Sequence, residues 1–421
     1  MNPIKVIVIG AGDRGNAYSR YALNHPFEIK IVGVAEPDDK KRELFSNKFN
    51  IPAKFRFKDY KEVFSIKKFA DAVIITTQDR LHFKPAVMAL ENDYHILLEK
   101  PISNNPYEII ELERLAKNYK KIFMICHVLR YTSFFRAIKE IIDSSELGKI
   151  VAIQHNENIG HIHFSHSFVR GNWRNSDLSS PIILAKSCHD MDLLLWFTGS
   201  KVKQVSAFGS LSYFNSKNMP KGAPKNCLDG CPVETDCPYS AIKIYLKNDV
   251  DWFPSVVTTD TSIEGRIKSL KNGNYGRCVF QCDNNVPDHL VSNIEFENGI
   301  TASFVLSALT FYISRTLKIM GTKGELRADT TKNEIEIREF RTNNIKKISA
   351  GTIEGFHYGG DTNIIKEFIK AIRERTSNTK VLTSLSESVE SHLLAFAVEE
   401  SRIKNKTINY GEYVKRILLK K

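Results

Sequence analysis

Gly10-Ala11-Gly12-Asp13-Arg14-Gly15 stands directly behind the apolar run Ile4 to Ile9, and that order carries a specific chemistry. In a G-x-G-x-x-G turn between strand and helix, the glycines allow a tight turn, close approach of the backbone to a pyrophosphate, and tight packing of helix on strand. The anion rests on unpaired N–H groups at the helix N-terminus. A second apolar run, Ile29 to Ala35, ends in Glu36, 21 residues beyond Gly15, where a carboxylate can bond the ribose hydroxyls of NAD. Asp38 and Asp39 would repel a 2′-phosphate, which favours NAD, while Lys40, Lys41 and Arg42 leave NADP open.

Other residues could move protons. Tyr94-His95-Ile96-Leu97-Leu98-Glu99-Lys100-Pro101 reads as a strand that delivers Glu99 and Lys100 to its carboxyl end, where ligands of open α/β sheets bind. Proline restricts the backbone of the residue before it, so Lys100 is a positioned group. Residues 182 to 198 read as one mostly buried helix stopped by Gly199. Lys186, His189 and Asp190 are spaced i, i+3, i+4 and so share a face, with Asp192 near His189 on the other side. A lysine and a histidine amid apolar neighbours need partners, and such groups concentrate in functional pockets.

These groups need at least two folded units to position them, since 421 residues exceed the roughly 100 to 200 of one domain. The unbroken β-branched run Ile4 to Ile9 fits a strand buried on both faces of a parallel sheet. A further βα unit begins at Asp71-Ala72-Val73-Ile74-Ile75-Thr76-Thr77, continues through Gln78-Asp79-Arg80-Leu81-His82, and ends in a helix through Leu90. Beyond Leu129-Arg130-Tyr131 comes a helix through Ile142, closed by Gly148, and then strand-like runs between polar loops. The stretch from His155 to Arg174, with His161, His163, His166, Arg170 and Trp173, reads as a binding loop of donors and flat rings for a sugar. Val291 to Phe296 and Thr301 to Leu306 read as a hairpin, and Ser384-Leu385-Ser386-Glu387 has capping-box spacing before an amphipathic helix through Ser401.

Composition narrows the class. Apolar residues make up 42% and charged residues 26%, without biased or repeated stretches, as in an ordinary soluble globular chain. The net charge of +12 comes from 60 Lys and Arg scattered among 48 acids rather than gathered into an arm, which argues for anionic small ligands over nucleic acid. The N-terminal apolar run is too short to span a membrane and lacks a small-residue cleavage pattern. The reading is a cytoplasmic protein with neither membrane nor nucleic acid as partner.

The chain resembles the glucose-fructose oxidoreductase and inositol dehydrogenase superfamily. The likeness is carried by Gly10 to Gly15, Ala35-Glu36-Pro37-Asp38, Thr76-Thr77 with His82, Glu99-Lys100-Pro101, His127 to Tyr131, Gly148-Lys149-Ile150, Gly321 to Leu326 and Gly359-Gly360-Asp361, and so spans nearly the whole sequence. It implies an α/β protein: a doubly wound Rossmann domain over residues 1–128 and an α+β domain over 129–421 with a large, mostly antiparallel sheet that often builds a homo-oligomer, dimer or tetramer. The implied cofactor contacts are Gly10, Gly12, Asp13, Arg14, Gly15, Glu36, Thr76, Thr77, His82, Glu99, Lys100 and Pro101, with Lys100 against the nicotinamide and its bond to Pro101 cis. Arg130, Arg170, Trp173, Lys186 and His189 are the expected substrate contacts. The implied activity is hydride transfer between NAD(P) and a secondary alcohol of a sugar or polyol, with His189 as general base or acid, Lys100 polarising the substrate oxygen, and Lys186 as a third participant.

One position departs from the family pattern, which usually has an aspartate four residues before this histidine: here it is Ala185. Lys186 next to it brings a base of opposite charge, and two lysines near one histidine lower each other's pKa. Two alternatives follow from the resemblance, an NAD-dependent glycoside hydrolase working by transient oxidation and elimination, and an NAD(P)-responsive regulator without catalysis. The paired proton-transfer groups argue against the regulator.

Seven cysteines are an odd number for a disulfide framework and fit a reducing compartment. Cys227, Cys231 and Cys237 lie close together in an insertion near 215–285, with Cys278 and Cys282 about forty residues on. The expectation is a structural zinc site of Cys227, Cys231, Cys237 and Cys282, with an iron–sulfur cluster as the chemical alternative and plain reduced thiols as the third.

Overall fold

A computed structural model describes residues 2–247, 252–351 and 356–419. Six strands, β1 (Ile4–Ile9), β2 (Ile29–Ala35), β3 (Arg56–Phe57), β4 (Ala72–Ile75), β5 (His95–Leu98) and β6 (Phe123–Ile125), form one sheet in the order β3-β2-β1-β4-β5-β6. Every pair in it is parallel. The apolar runs explain why: Val6, Ile7, Val8 and all of β4 are fully buried, so both faces need cover, which crossover helices supply. Strand order reverses between β1 and β4, and the crevice at their carboxyl ends is where such sheets bind ligands.

The second sheet has nine strands. Its members are β7 (Ile150–Asn158), β8 (Val202–Ser210), β9 (His289–Phe296), β10 (Thr301–Ser307), β11 (Ser314–Gly321), β12 (Gly324–Asp329), β13 (Glu334–Glu339), β14 (Ile345–Ser349) and β15 (Ile408–Asn409), in the order β14-β13-β12-β11-β7-β10-β9-β8-β15. Only β7 and β10 run parallel; the other pairs are antiparallel. The predicted hairpin is β9 and β10. On β7 the buried residues are Ile153, His155 and Glu157, every second position, so a histidine and a glutamate occupy the covered face.

The C-terminal segment returns to the first sheet. In the helix Gly360–Arg373, Ile364, Ile365, Phe368 and Ile369 pack with Val6, Val8 and Ile74, covering one face of the Rossmann sheet from far along the chain. The helix Leu385–Lys404 begins as predicted, with the Ser384 side chain accepting from the Glu387 amide, and extends three residues past Ser401. Two expectations are corrected. Residues 182–198 are not one helix but two, Ile182–Ala185 and Cys188–Thr198, broken at Lys186-Ser187. The stretch after His155 is not an open loop: His155 lies in β7, and His161–Phe164 and Ser165–Arg170 are helical, the second a wide π-type turn. His166 there is buried against Tyr245, Phe253 and Tyr275, and burial pushes its pKa down to about 3.

Candidate active site

The glycine turn is built for an approaching ligand. Gly10 has φ +97°, and a Cβ there would sit 2.6 Å from the Thr76 carbonyl oxygen; a Cβ on Gly15 would sit 2.2 Å from that of Gly10. Gly12, by contrast, faces open space at the N-terminus of the helix Asp13–Asn24, which has no side-chain cap. Uncapped amides at a helix start are an anion site. Asp13 is exposed in the first turn, and the Thr76 hydroxyl donates to the Gly10 carbonyl at 2.7 Å. Glu36 accepts from the Ala11 amide at 2.8 Å and from the Asp38 amide at 3.1 Å, which places its carboxylate beside the turn. Arg42, a candidate partner for a 2′-phosphate, is instead bonded to the Glu36 carbonyl and paired with Asp39.

Around this turn the expected contacts form a frame. The His82 ring bridges the carbonyls of Thr77 and Pro101, and the Lys100–Pro101 bond is cis, as the family likeness implied. Glu99 accepts from Arg14 Nε at 2.7 Å and from the Tyr18 hydroxyl at 3.1 Å. Burial alone would raise the Glu99 pKa, but Arg14 and Lys100 overrule it and hold the carboxyl below its usual range. Arg14 also forks onto both carboxylate oxygens of Asp361 at 2.9 and 2.7 Å. Arg14 therefore ties the glycine-turn helix to the strand end carrying Lys100 and to the C-terminal helix, a bracing position with its donors turned inward.

The helix break sets the catalytic geometry. Carbonyls at a helix end need outside donors, and that of Ala185 takes Lys100 Nζ at 2.6 Å. Lys100 thus finds a main-chain oxygen beside the position where the family pattern has a carboxylate. Lys186, turned off the second helix by the break, pairs with Glu157 of β7 at 3.3 Å. Arg315 of β11, the cross-strand partner of Glu157, forms an ion pair with Glu157 at 2.6 Å and bonds Asp190 at 2.7 Å, and Asp190 meets His155 at 2.6 Å. Burial lowers the Lys186 pKa, with Arg315 and Lys100 adding to it and Glu157 opposing. Asp190, despite burial, is held well below the carboxylate range by Arg315 and His155.

His189 lies in the first turn of Cys188–Thr198, 5% exposed, its ring edge-on to His127 at 5.6 Å between centroids. His127 in turn faces His392 at 5.3 Å. Burial, then nearby cations and, for His392, the neighbouring His127, push both down, His127 far below its ordinary value and His392 to about 3. The Ile102 amide donates to His392 Nε2, so the His392 proton sits on Nδ1 and goes to the Ser388 carbonyl. A neutral imidazole thus supports the loop just after Pro101.

Not every predicted contact meets here. Arg130 is buried, forked onto Asp192 at 2.7 Å through Nε and Nη2 and bonded to the Leu382 carbonyl. Arg170 is fully buried and bonded to the Arg277 and Tyr239 carbonyls, inside the cysteine insertion. Both are turned from solvent, Arg130 onto Asp192 and Arg170 onto main-chain carbonyls. Trp173 does reach the Rossmann domain: its indole N–H donates to Asp79, which also accepts from Ser180. Glu157, Arg315, Asp79 and His392 are new to the site. Alternation along β7 was the available clue to Glu157, and a histidine on the apolar stripe of a helix the clue to His392.

The glycine turn, the helix break and the joined sheets define a two-domain oxidoreductase with an NAD(P)-binding Rossmann fold. Residues 4–127 match the oxidoreductase family described by its NAD-binding Rossmann fold, and residues 139–409 match that family's C-terminal alpha/beta domain. The chain belongs to this glucose-fructose oxidoreductase and inositol dehydrogenase family. YteT of Bacillus subtilis, named as an oxidoreductase, is 26% identical over 315 residues, covering 71% of this chain and 70% of that protein. Inositol 2-dehydrogenase of Salmonella typhimurium is 25% identical over 209 residues, 49% of this chain and 57% of the relative, so this match spans little more than half of that enzyme. A levoglucosan dehydrogenase solved with NADH and levoglucosan shares the fold at a TM-score of 0.71 and 18% identity, covering 97% of this chain and 100% of the other. Among the described residues no helix is long and apolar enough to cross a membrane.

Proposed function

We propose that this protein is an NAD-dependent dehydrogenase that oxidises a secondary alcohol of a sugar or polyol, or reduces the matching ketone. The observation that carries the reading is Lys100 anchored to the Ala185 carbonyl at the helix break, in sequence beside Lys186 and the turn bearing His189. The residues fit a dinucleotide: Gly12 leaves room for a pyrophosphate on uncapped amides, and Glu36 is fixed where a ribose diol would lie. When bound, the nicotinamide supplies the hydride acceptor. The protein's own part is to position the alcohol, with Lys100 donating a hydrogen bond to its oxygen and His189 taking the hydroxyl proton. Lys186, its pKa lowered but its ammonium favoured by Glu157, is the third group able to relay that proton. Trp173, braced by Asp79, would wall the crevice.

The test is a panel of cyclic polyols, anhydrosugars and glycosides with NAD and the purified protein, reading NADH absorbance and released aglycone together. Accumulating NADH supports the dehydrogenase; no turnover of any kind across the panel counts against it. Ala185 in place of the carboxylate favours one second reading, redox-neutral elimination with the hydride returned, and released aglycone without net NADH would identify it. Glu36→Ala is expected to weaken NAD binding by roughly 1.5–3 kcal/mol, the worth of a hydrogen bond to a charged group, with less effect on NADP. Binding titrations of both nucleotides check this. For Glu157→Gln, loss of the charge that favours the ammonium lowers the Lys186 pKa further, so any limb of the kcat/KM profile set by Lys186 moves to lower pH.

A further inference from the structure

Among the described cysteines all seven are free thiols, and four of them, Cys227, Cys231, Cys237 and Cys278, line a single cavity in the insertion. The backbone explains the set. An isolated antiparallel bridge pairs Asn226 with Arg277, with the Cys227 amide donating to Gly276 and the Cys278 amide to Lys225, both at 2.8 Å. This lays Cys278 beside Cys227, while a turn closed by the Cys237 amide on the Val233 carbonyl brings Cys237 back beside Cys231. The Cys282 thiol, the expected fourth ligand, bonds the Cys278 carbonyl, and it is Cys278 that lines the cavity with the other three.

A second observation points into the same space. Arg170 lines the cavity with no exposed surface; its Nη2 lies 3.6 Å from Cys227 Sγ, and its Nη1 has no acceptor. No carboxylate pairs with it among the described residues. A buried guanidinium whose company is two carbonyls, the Cys227 sulfur and the Tyr245 ring, with no carboxylate among the described residues, is costly, and it calls for an anion. Four thiolates around a metal core provide one. Among the described residues no three His, Cys, Asp or Glu side chains are grouped to hold one metal ion, as zinc would need with sulfurs at about 2.3 Å from a common centre. The zinc expectation is therefore not supported, and the thiols surround a space instead of meeting at a point.

We propose that Cys227, Cys231, Cys237 and Cys278 hold a four-iron, four-sulfide cluster whose net negative charge is balanced by Arg170. Two of the four are followed by proline, Cys231-Pro232 and Cys237-Pro238, which stiffens the turn without spending an amide. The cluster fixes the insertion to Arg170, three residues before the Trp173 that bonds Asp79, and so braces the wall of the crevice.

The full chain, produced with added iron and sulfide and purified without oxygen, is assayed for iron, zinc and acid-labile sulfide. About four iron and four sulfide per chain, with a broad visible absorption bleached by dithionite, is the expected result. Cys278→Ser is expected to lose most of the iron and Cys282→Ser to keep it. Zinc at about one equivalent without labile sulfide, or neither metal, overturns the cluster in the unaltered chain whether or not any variant folds. Full iron in Cys278→Ser overturns the ligand assignment.

Discussion

Replacing His189 by alanine is expected to lower kcat by about 10²- to 10⁴-fold, the usual worth of a positioned general base, while leaving NADH affinity nearly unchanged. The separation follows from position. His189 sits in the first turn after the helix break and against His127, whereas the glycine turn and Glu36 are the groups that would hold the nucleotide. His127 and His392 cannot readily take over, since burial keeps both neutral and His392 already spends both ring nitrogens on the backbone. Lys100→Met should remove turnover to a similar extent, with NADH again retained. Fluorescence titration of NADH beside steady-state kinetics on the identified substrate separates the two effects. A His189→Ala variant with unaltered kcat would remove it from the proton-transfer role and move attention to Lys186.

The sequence made the first half of this site readable because its signals are local. Short continuous Ile and Val runs fit buried strands, a glycine turn follows one of them, and Glu36 and Lys100 sit at strand ends, where neighbouring residues decide the geometry. Residues 182 to 198 were misread for the opposite reason: their side chains suit a helix throughout, and the break at Lys186-Ser187 coincides with contacts from outside the segment, Lys100 on Ala185 and Glu157 on Lys186. The register of β7 against β11, which sets Arg315 opposite Glu157, is a tertiary choice with no local trace. Arg130 shows a related limit. Its type suits a substrate contact, but Asp192, 62 residues on in another helix, claims its fork. In the insertion, three cysteines announced themselves by spacing, whereas the choice of Cys278 over Cys282 waited on one backbone bridge.

The buried ion network should dominate stability. Arg315→Met leaves Asp190 and Glu157, both without exposed surface, short of the cation that each pairs with. Removing one partner of a buried pair costs about 3–5 kcal/mol, chiefly through the charges left behind. His155 and Lys186 remain as partial compensation, so the lower end of that range is expected in denaturant unfolding. The pH dependence gives the sign. Asp190 has a folded pKa depressed below its unfolded value, so its contribution is present in full above roughly pH 4 and fades as pH falls toward the folded value. In the variant that depression is smaller, and the stability gap between the two proteins narrows under acid. Adding Glu157→Gln to Arg315→Met removes one stranded carboxylate, so the double variant should be more stable than the sum of the two single losses implies. Strict additivity would mean that Glu157 and Arg315 do not act as a pair, and Lys186 would then owe its charge state to Lys100 and burial instead of to this network.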